Sequence, residues 1–350
     1  MGALDREAIE ALDSERLLDD ILGLPAQLAD ALWRVESAGL EAHDSPGGLV
    51  VAGMGGSAIG GDLARAALGD QASRPILAAR GYGLPPWTTP DTTVLCASYS
   101  GETEETLACY ESAGALGAHR VVVTTGGRLA ELARADGVGV IPLPGGFQPR
   151  AALAYLLVAS LEVAALCGAG PRLAAEIDVA TGHLDTLAGE WGPDAGEDSL
   201  AKSLARSLHG TVPLIAGAGL TSALAYRWKT QINENAKLPA FCGELPELDH
   251  NEIAGWDGAA ALAPFSAIFL YDCDSHPRLG TRIELTRERI APMARFTSVV
   301  STRGESALER VCSLVLLGDL VSLYLAVLAG VDPTPVVALV QLKQALAERE

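Results

Sequence analysis

Two short segments of this 350-residue chain combine glycine freedom with hydroxyl donors. The first is Gly53-Met54-Gly55-Gly56-Ser57-Ala58, between an apolar run and a helix-forming stretch. Glycines let backbone approach a ligand closely, and a helix start offers unpaired N–H groups to an anion. Gly53-x-Gly55-x-x-Ala58 also fits a dinucleotide fingerprint, which requires a carboxylate about twenty residues on, at the end of the next strand. That strand instead ends Ala78-Ala79-Arg80-Gly81, which argues against a dinucleotide; a purely structural glycine turn stays open. The second segment is Ser98-Tyr99-Ser100-Gly101-Glu102-Thr103. One hydroxyl suffices to cap a helix. Three at alternating spacing, joined by Ser57, would surround a phosphate with neutral donors and leave its charge to helix dipoles.

Two further segments sharpen this reading: Asn233-Glu234-Asn235-Ala236-Lys237 and Glu247-Leu248-Asp249-His250-Asn251-Glu252-Ile253. Together with GMGGS and SYSGETEET, they resemble the bifunctional phosphoglucose/phosphomannose isomerases, a branch of the sugar-isomerase (SIS) fold. The resemblance runs from Leu49 to the C-terminal helix. It implies that Gly55, Gly56, Ser57, Ser98, Ser100 and Thr103 bind the phosphate of a hexose 6-phosphate. It implies that Glu234 carries a proton between C2 and C1, and that His250 helps open the pyranose ring. Lys343 would sit by the ring oxygen, and Arg150, in Gly145-Gly146-Phe147-Gln148-Pro149-Arg150, near the reacting carbons. It further implies a homodimer in which His250 reaches into the partner's site; no cofactor is expected.

The chemistry asks for such groups. Aldose–ketose isomerisation needs one base with access to two adjacent carbons, and a carboxylate can take and return the proton. Arg150 or Lys343 could stabilise the enediolate, and a histidine suits proton movement between O1 and O5. Plainer roles stand beside these. Glu234 could face solvent, Asp249-His250-Asn251 could be a capping turn, and Lys343 could complement a helix dipole.

The elements that must position these residues read as an α/β chain of two SIS-type three-layer domains with parallel sheets, plus terminal helices. Residues 1–45 are expected as a helical segment and 46–170 as the first domain. Within it, buried strands near 49–52, 76–79, 94–97 and 121–124 alternate with helices. Residues 171–198, rich in Asp, Glu and Gly, are expected as a linker. Residues 199–330 repeat the plan, with Val212-Pro213-Leu214-Ile215-Ala216-Gly217-Ala218-Gly219 as a second strand and glycine turn, and further strands at 267–271, 297–300 and 313–317. A last helix covers 331–350.

Lys and Arg number 25 against 44 Asp and Glu, a formal charge of −19, with no basic run. Nucleic acid and anionic membranes would be repelled. The longest apolar stretches read as buried helices, and the six cysteines are scattered without a C-x-x-C pair, as expected of reduced thiols in a cytoplasmic enzyme. The six histidines form no H-x-x-x-H or His/Cys cluster, so no metal is expected. A sugar-phosphate-binding regulator without catalysis, or an isomerase of a different sugar phosphate, would use the same two loops.

Overall fold

The computed structural model describes residues 3–349. Three helices lead: Arg6–Glu10 (α1), Leu17–Leu22 (α2) and Leu24–Ser37 (α3). The first α/β unit follows: Leu49–Ala52 (β1), Gly56–Leu68 (α4), Ile76–Ala79 (β2), Thr93–Ala97 (β3), Glu104–Leu116 (α5), His119–Thr124 (β4), Gly127–Asp136 (α6), Gly139–Pro142 (β5) and Leu153–Leu166 (α7). Two helices, Ala174–Trp191 (α8) and Leu200–Leu208 (α9), precede the second unit. That unit holds Val212–Gly217 (β6), Ser222–Asn235 (α10), Phe241–Glu244 (β7), Trp256–Leu262 (α11), Phe265–Tyr271 (β8), Pro277–Ile290 (α12), Phe296–Ser301 (β9) and Ala307–Ala329 (α13). Val337–Ala347 (α14) closes the chain.

Both sheets are parallel, with orders β2-β1-β3-β4-β5 and β7-β6-β8-β9. Each first strand therefore lies between the next two, and chain direction across the sheet reverses there. Ligands bind outside the carboxyl ends of the strands at such a reversal. In the first sheet this point falls between β1 and β3, where Ala52 pairs with Cys96. The glycine loop and the serine loop leave those two strand ends side by side.

Side-chain alternation divides the strands between two layers. Leu49, Val51 and Leu95 face a central core that also holds α3, α4, α7, α8, α9, α10 and α13. Val50, Ala52, Val94 and Cys96 face outward under α5 and α6. In the second sheet Ile215 and Ile268 face the same central core, while Leu214, Ala216, Ala267 and Phe269 pack outward against α11 and α12. One helical layer thus joins the two sheets.

Helix α13 is the axis of that layer. Ser306 and Glu309 form a capping box at its start, which satisfies orphan N–H groups. The expected strand at 313–317 lies inside this helix. Its unbroken apolar run is buried on every side, so neither alternation nor length distinguishes it from a core strand. Helix α13 is long and apolar enough to cross a bilayer, but 89% of its most apolar 18-residue window is buried inside the protein. The indole Nε1 of Trp228 donates to the Leu314 carbonyl at 2.7 Å, and Gly318 leaves the space its ring occupies.

Two further differences from the sequence expectation concern the leading and linking segments. The expected leading helical segment is broken into three helices among residues 3–37, and between the first two Asp13 accepts from the Leu17 and Leu18 amides at 2.9 and 2.8 Å at the start of α2. Residues 171–198 are not extended chain, since 18 of them form α8, which buries Ile177, Ala180, Leu184, Leu187 and Trp191. Those positions follow helical spacing; Asp178, Gly182, Asp185, Gly189 and Glu190 of the same helix are exposed, and Gly192, Asp194, Gly196, Glu197 and Asp198 lie beyond its end.

Candidate active site

Three loops meet over the β1/β3 reversal. A Cβ built on Gly53 would lie 2.8 Å from the Ala97 carbonyl oxygen and 3.0 Å from the Ser57 Cβ, so the first two loops touch only because residue 53 lacks a side chain. Gly55, at φ 52°, turns the chain into α4. A Cβ on Gly56 would stand 2.9 Å from the Pro149 carbonyl oxygen, which brings the Arg150 segment against the glycine loop. Tyr99 locks the third contact: its hydroxyl donates to the Pro144 carbonyl at 3.1 Å and accepts from the Phe147 amide at 2.9 Å.

Ser57 and Ser98 are buried. The Ser98 and Thr103 hydroxyls lie 2.8 Å apart, and Ser98 Oγ also accepts from the Gly101 amide at 3.0 Å. Ser100 is exposed, with its hydroxyl accepting from the Glu102 amide at 3.2 Å. The six residues expected around a phosphate are therefore gathered at adjacent strand ends and at the starts of α4 and α5. Glu104 and Glu105 open α5, so the anion-favouring dipole of that helix is partly offset and an anion held here would depend more on the hydroxyl and backbone donors.

Glu234 and Arg150 come together from different halves of the chain. Arg150 Nη1 stands 3.7 Å from Glu234 Oε2, with the arginine side chain 4% and the glutamate 28% exposed. The guanidinium is held at its other corners. Nε donates to Asn235 Oδ1 at 2.7 Å, Nη2 to the Pro333 and Thr334 carbonyls at 2.9 and 3.0 Å, and Nη1 reaches Gln148 Oε1 at 3.4 Å. Burial pushes the Arg150 guanidinium below its ordinary range, Glu234 pulls it back, and Arg227 adds to the fall. It stays a cation, since guanidinium groups do not deprotonate in proteins.

Helix α10 carries this arrangement. Arg227, Gln231 and Asn235 recur every four residues and face α13. Arg227 Nη2 donates to Asp319 Oδ2 at 2.6 Å, Gln231 Nε2 to Asp319 Oδ1 at 3.0 Å, and Asn235 Nδ2 to Ser322 Oγ at 2.9 Å. Arg227 Nη2 also approaches the Arg150 carbonyl at 3.3 Å. Glu234, one position round from Asn235, is thereby turned from the core face toward Arg150.

The remaining two expected residues lie apart from this cluster. His250 ends a one-turn 3-10 segment, Glu247–His250. It is exposed and its side chain has no hydrogen bond or ion pair among the described residues, while its neighbour Asp249 is fixed by Arg282 Nη1 at 3.0 Å and Thr286 Oγ1 at 2.7 Å. Lys343 is exposed on α14, whose Val337, Leu339, Val340, Leu342 and Leu346 are also exposed.

The sequence reading missed several neighbours. Asn235 and Lys237 lie within the NEN-x-K motif but received no role, and Tyr99 sits unassigned within SYSG. Asp20, on α2, is held up at about 6 by burial first, then by Asp13 and Asp19, with Arg150 opposing. No sequence signal separates it from the other acids of the first helices.

With this geometry in view, the likeness to known proteins is specific. Residues 197–346 match the family described as bacterial phospho-glucose isomerase C-terminal SIS domain. A bifunctional phosphoglucose/phosphomannose isomerase of Caldicellulosiruptor bescii is 39% identical over 337 residues, covering 95% of this chain and 99% of the relative. One of Aquifex aeolicus is 35% identical over 303 residues, covering 85% and 90%. The crystal structure of a glucose-6-phosphate isomerase like protein from Thermus thermophilus superposes with a TM-score of 0.64 at 20% identity, covering 98% of this chain and 99% of that one; it shares the fold. The chain belongs to the bifunctional phosphoglucose/phosphomannose isomerase family.

Proposed function

We propose that this protein interconverts glucose 6-phosphate and fructose 6-phosphate and, through the same enediolate, mannose 6-phosphate and fructose 6-phosphate. The observation that carries the reading is Glu234 beside the buried Arg150, next to loops suited to a phosphate. Glu234 takes the proton from C1 of the open-chain ketose, and the electron pair moves through the C1–C2 bond to leave an enediolate. Return of a proton to C2, with hydroxyl proton movement from O1 to O2, gives the aldose. Glucose and mannose phosphates differ only in the face of C2 protonated. Arg150 faces the negative charge as it develops on O1 and O2, in a setting where water competes weakly. A regulator that only bound sugar phosphate would not need a carboxylate held against this cation.

Ring opening falls to His250. Its exposure, with no partner among the described residues of its own chain, supports a role across a homodimer interface, where it would reach the neighbour's substrate. Lys343 and the exposed apolar residues of α14 fit the same assembly. The test is the purified enzyme with fructose 6-phosphate, with glucose 6-phosphate and mannose 6-phosphate detected separately. Formation of both supports the reading; sugar-phosphate binding without either product refutes it.

A further inference from the structure

Lys237 has a backbone that its neighbours alone do not require. It follows α10 with φ 57°, a left-handed conformation that a non-glycine residue enters at a cost and that clusters at functional sites. The turn sends its ammonium back to the Glu234 carbonyl and on to the Pro333 carbonyl at 3.0 Å. The Pro333 oxygen therefore receives two cationic donors, Lys237 Nζ and Arg150 Nη2.

The Pro333 segment is held from its far side as well. Thr334 donates its amide to Asp332 Oδ1 at 2.9 Å and its hydroxyl to Asp13 Oδ1 at 3.3 Å. Residues 332–334 thus form a strap between the N-terminal segment and the active site, with Arg150 beneath it and Lys237 at its edge.

Resting on the isomerase reading above, we propose that Lys237 is a positioning residue of the reaction: through the shared Pro333 carbonyl it fixes the rotation of the Arg150 guanidinium, so that Nη1 faces Glu234 and the enediolate. With Nε held by Asn235 and Nη2 by the strap, Nη1 has one orientation; loosening the strap leaves the Nε bond as the main restraint on the fork. Burial, then Arg150, lowers the lysine's affinity for its proton, while Asp332 and Glu234 restore part of it. Misplacement of a catalytic group by about 1 Å costs roughly a hundredfold in rate, which bounds the effect.

The test compares Lys237→Asn and Lys237→Arg, each alone and with Arg150→Lys. Asparagine tolerates positive φ, so the first variant removes the ammonium and keeps the turn. The proposal expects kcat with fructose 6-phosphate to fall about tenfold to a hundredfold in Lys237→Asn with KM within about threefold, and to recover most of the loss in Lys237→Arg. In the Arg150→Lys background, Lys237→Asn should cost less than about twofold, because a residue acting through Arg150 has nothing left to position. An undiminished kcat in Lys237→Asn, an equal loss in Lys237→Arg, or an additive loss in the double variant overturns the proposal. A wild-type protein without turnover would refute the isomerase reading itself, a result distinct from all three.

Discussion

The buried pair beneath the candidate active site gives the sharpest test of how α10 is held. Arg227 and Asp319 have side chains only 2% and 9% exposed and meet at 2.6 Å. In Arg227→Met the carboxylate keeps Gln231 as its one remaining neutral donor at 3.0 Å. Leaving a buried charge with its partner removed costs about 3–5 kcal/mol. Replacing both by apolar groups of similar volume is often neutral or stabilising. Arg227→Met should therefore lose about 3–5 kcal/mol in urea denaturation, and Arg227→Met/Asp319→Leu should regain most of it. The loss should also depend on pH. Burial already raises the Asp319 carboxyl against the pull of Arg227, and without the arginine it rises further. An acid whose folded value exceeds its unfolded one costs stability when ionised and ceases to do so once protonated. The deficit should shrink as pH falls from about 8 toward about 5. A single-variant loss under about 1 kcal/mol, or a double variant less stable than the single, would refute the claim that this charge is buried and paired.

Other consequences are more local. Gly56→Ala places a Cβ 2.9 Å from the Pro149 carbonyl. It should push the Arg150 segment from the glycine loop and raise KM for fructose 6-phosphate about tenfold or more, read by initial rates. Asp20→Asn removes a carboxyl held at about 6. The variant should be about 1–2 kcal/mol more stable than wild type at about pH 7–8, an advantage that fades from about pH 6 and is gone near about pH 4, checked by urea denaturation across that range. If His250 serves the neighbouring subunit, Glu234→Gln and His250→Ala are each inactive alone, and co-expression should restore about a quarter of wild-type activity, one competent site in each mixed dimer. No recovery would place His250 in its own chain's site.

Much of the fold was legible because its strands are short buried runs divided by glycine turns. The repeat of strand, glycine turn and helix at Leu49 and Val212 announced two similar units. Ser313–Leu317 reads as a strand because a helix buried all round shows no period. Helix α8 is hidden because Gly182, Gly189 and its acids disguise a regular apolar stripe. In the candidate site, Glu234, Arg150 and the two loops were proposed from local motifs, and the structure brings Glu234 to Arg150. The strap at 332–334 and its latch to Asp13 were not, since the latch joins residues more than 300 positions apart through a hydroxyl and a carboxylate, and the strap meets Arg150 through backbone carbonyls. Lys237 was visible as a letter in a motif, but the role proposed for it depends on a left-handed turn that no residue type announces.

The central claim is that Glu234 moves the proton. Its most direct test is Glu234→Gln in deuterated water with fructose 6-phosphate. Wild type should form glucose 6-phosphate and mannose 6-phosphate with solvent deuterium at C2. The variant should lose about a thousandfold or more in kcat, and its loss of deuterium incorporation should match, while fructose 6-phosphate still binds. Activity of the variant within about tenfold of wild type, or deuterium entering C2 in the variant at the wild-type rate, would contradict the account.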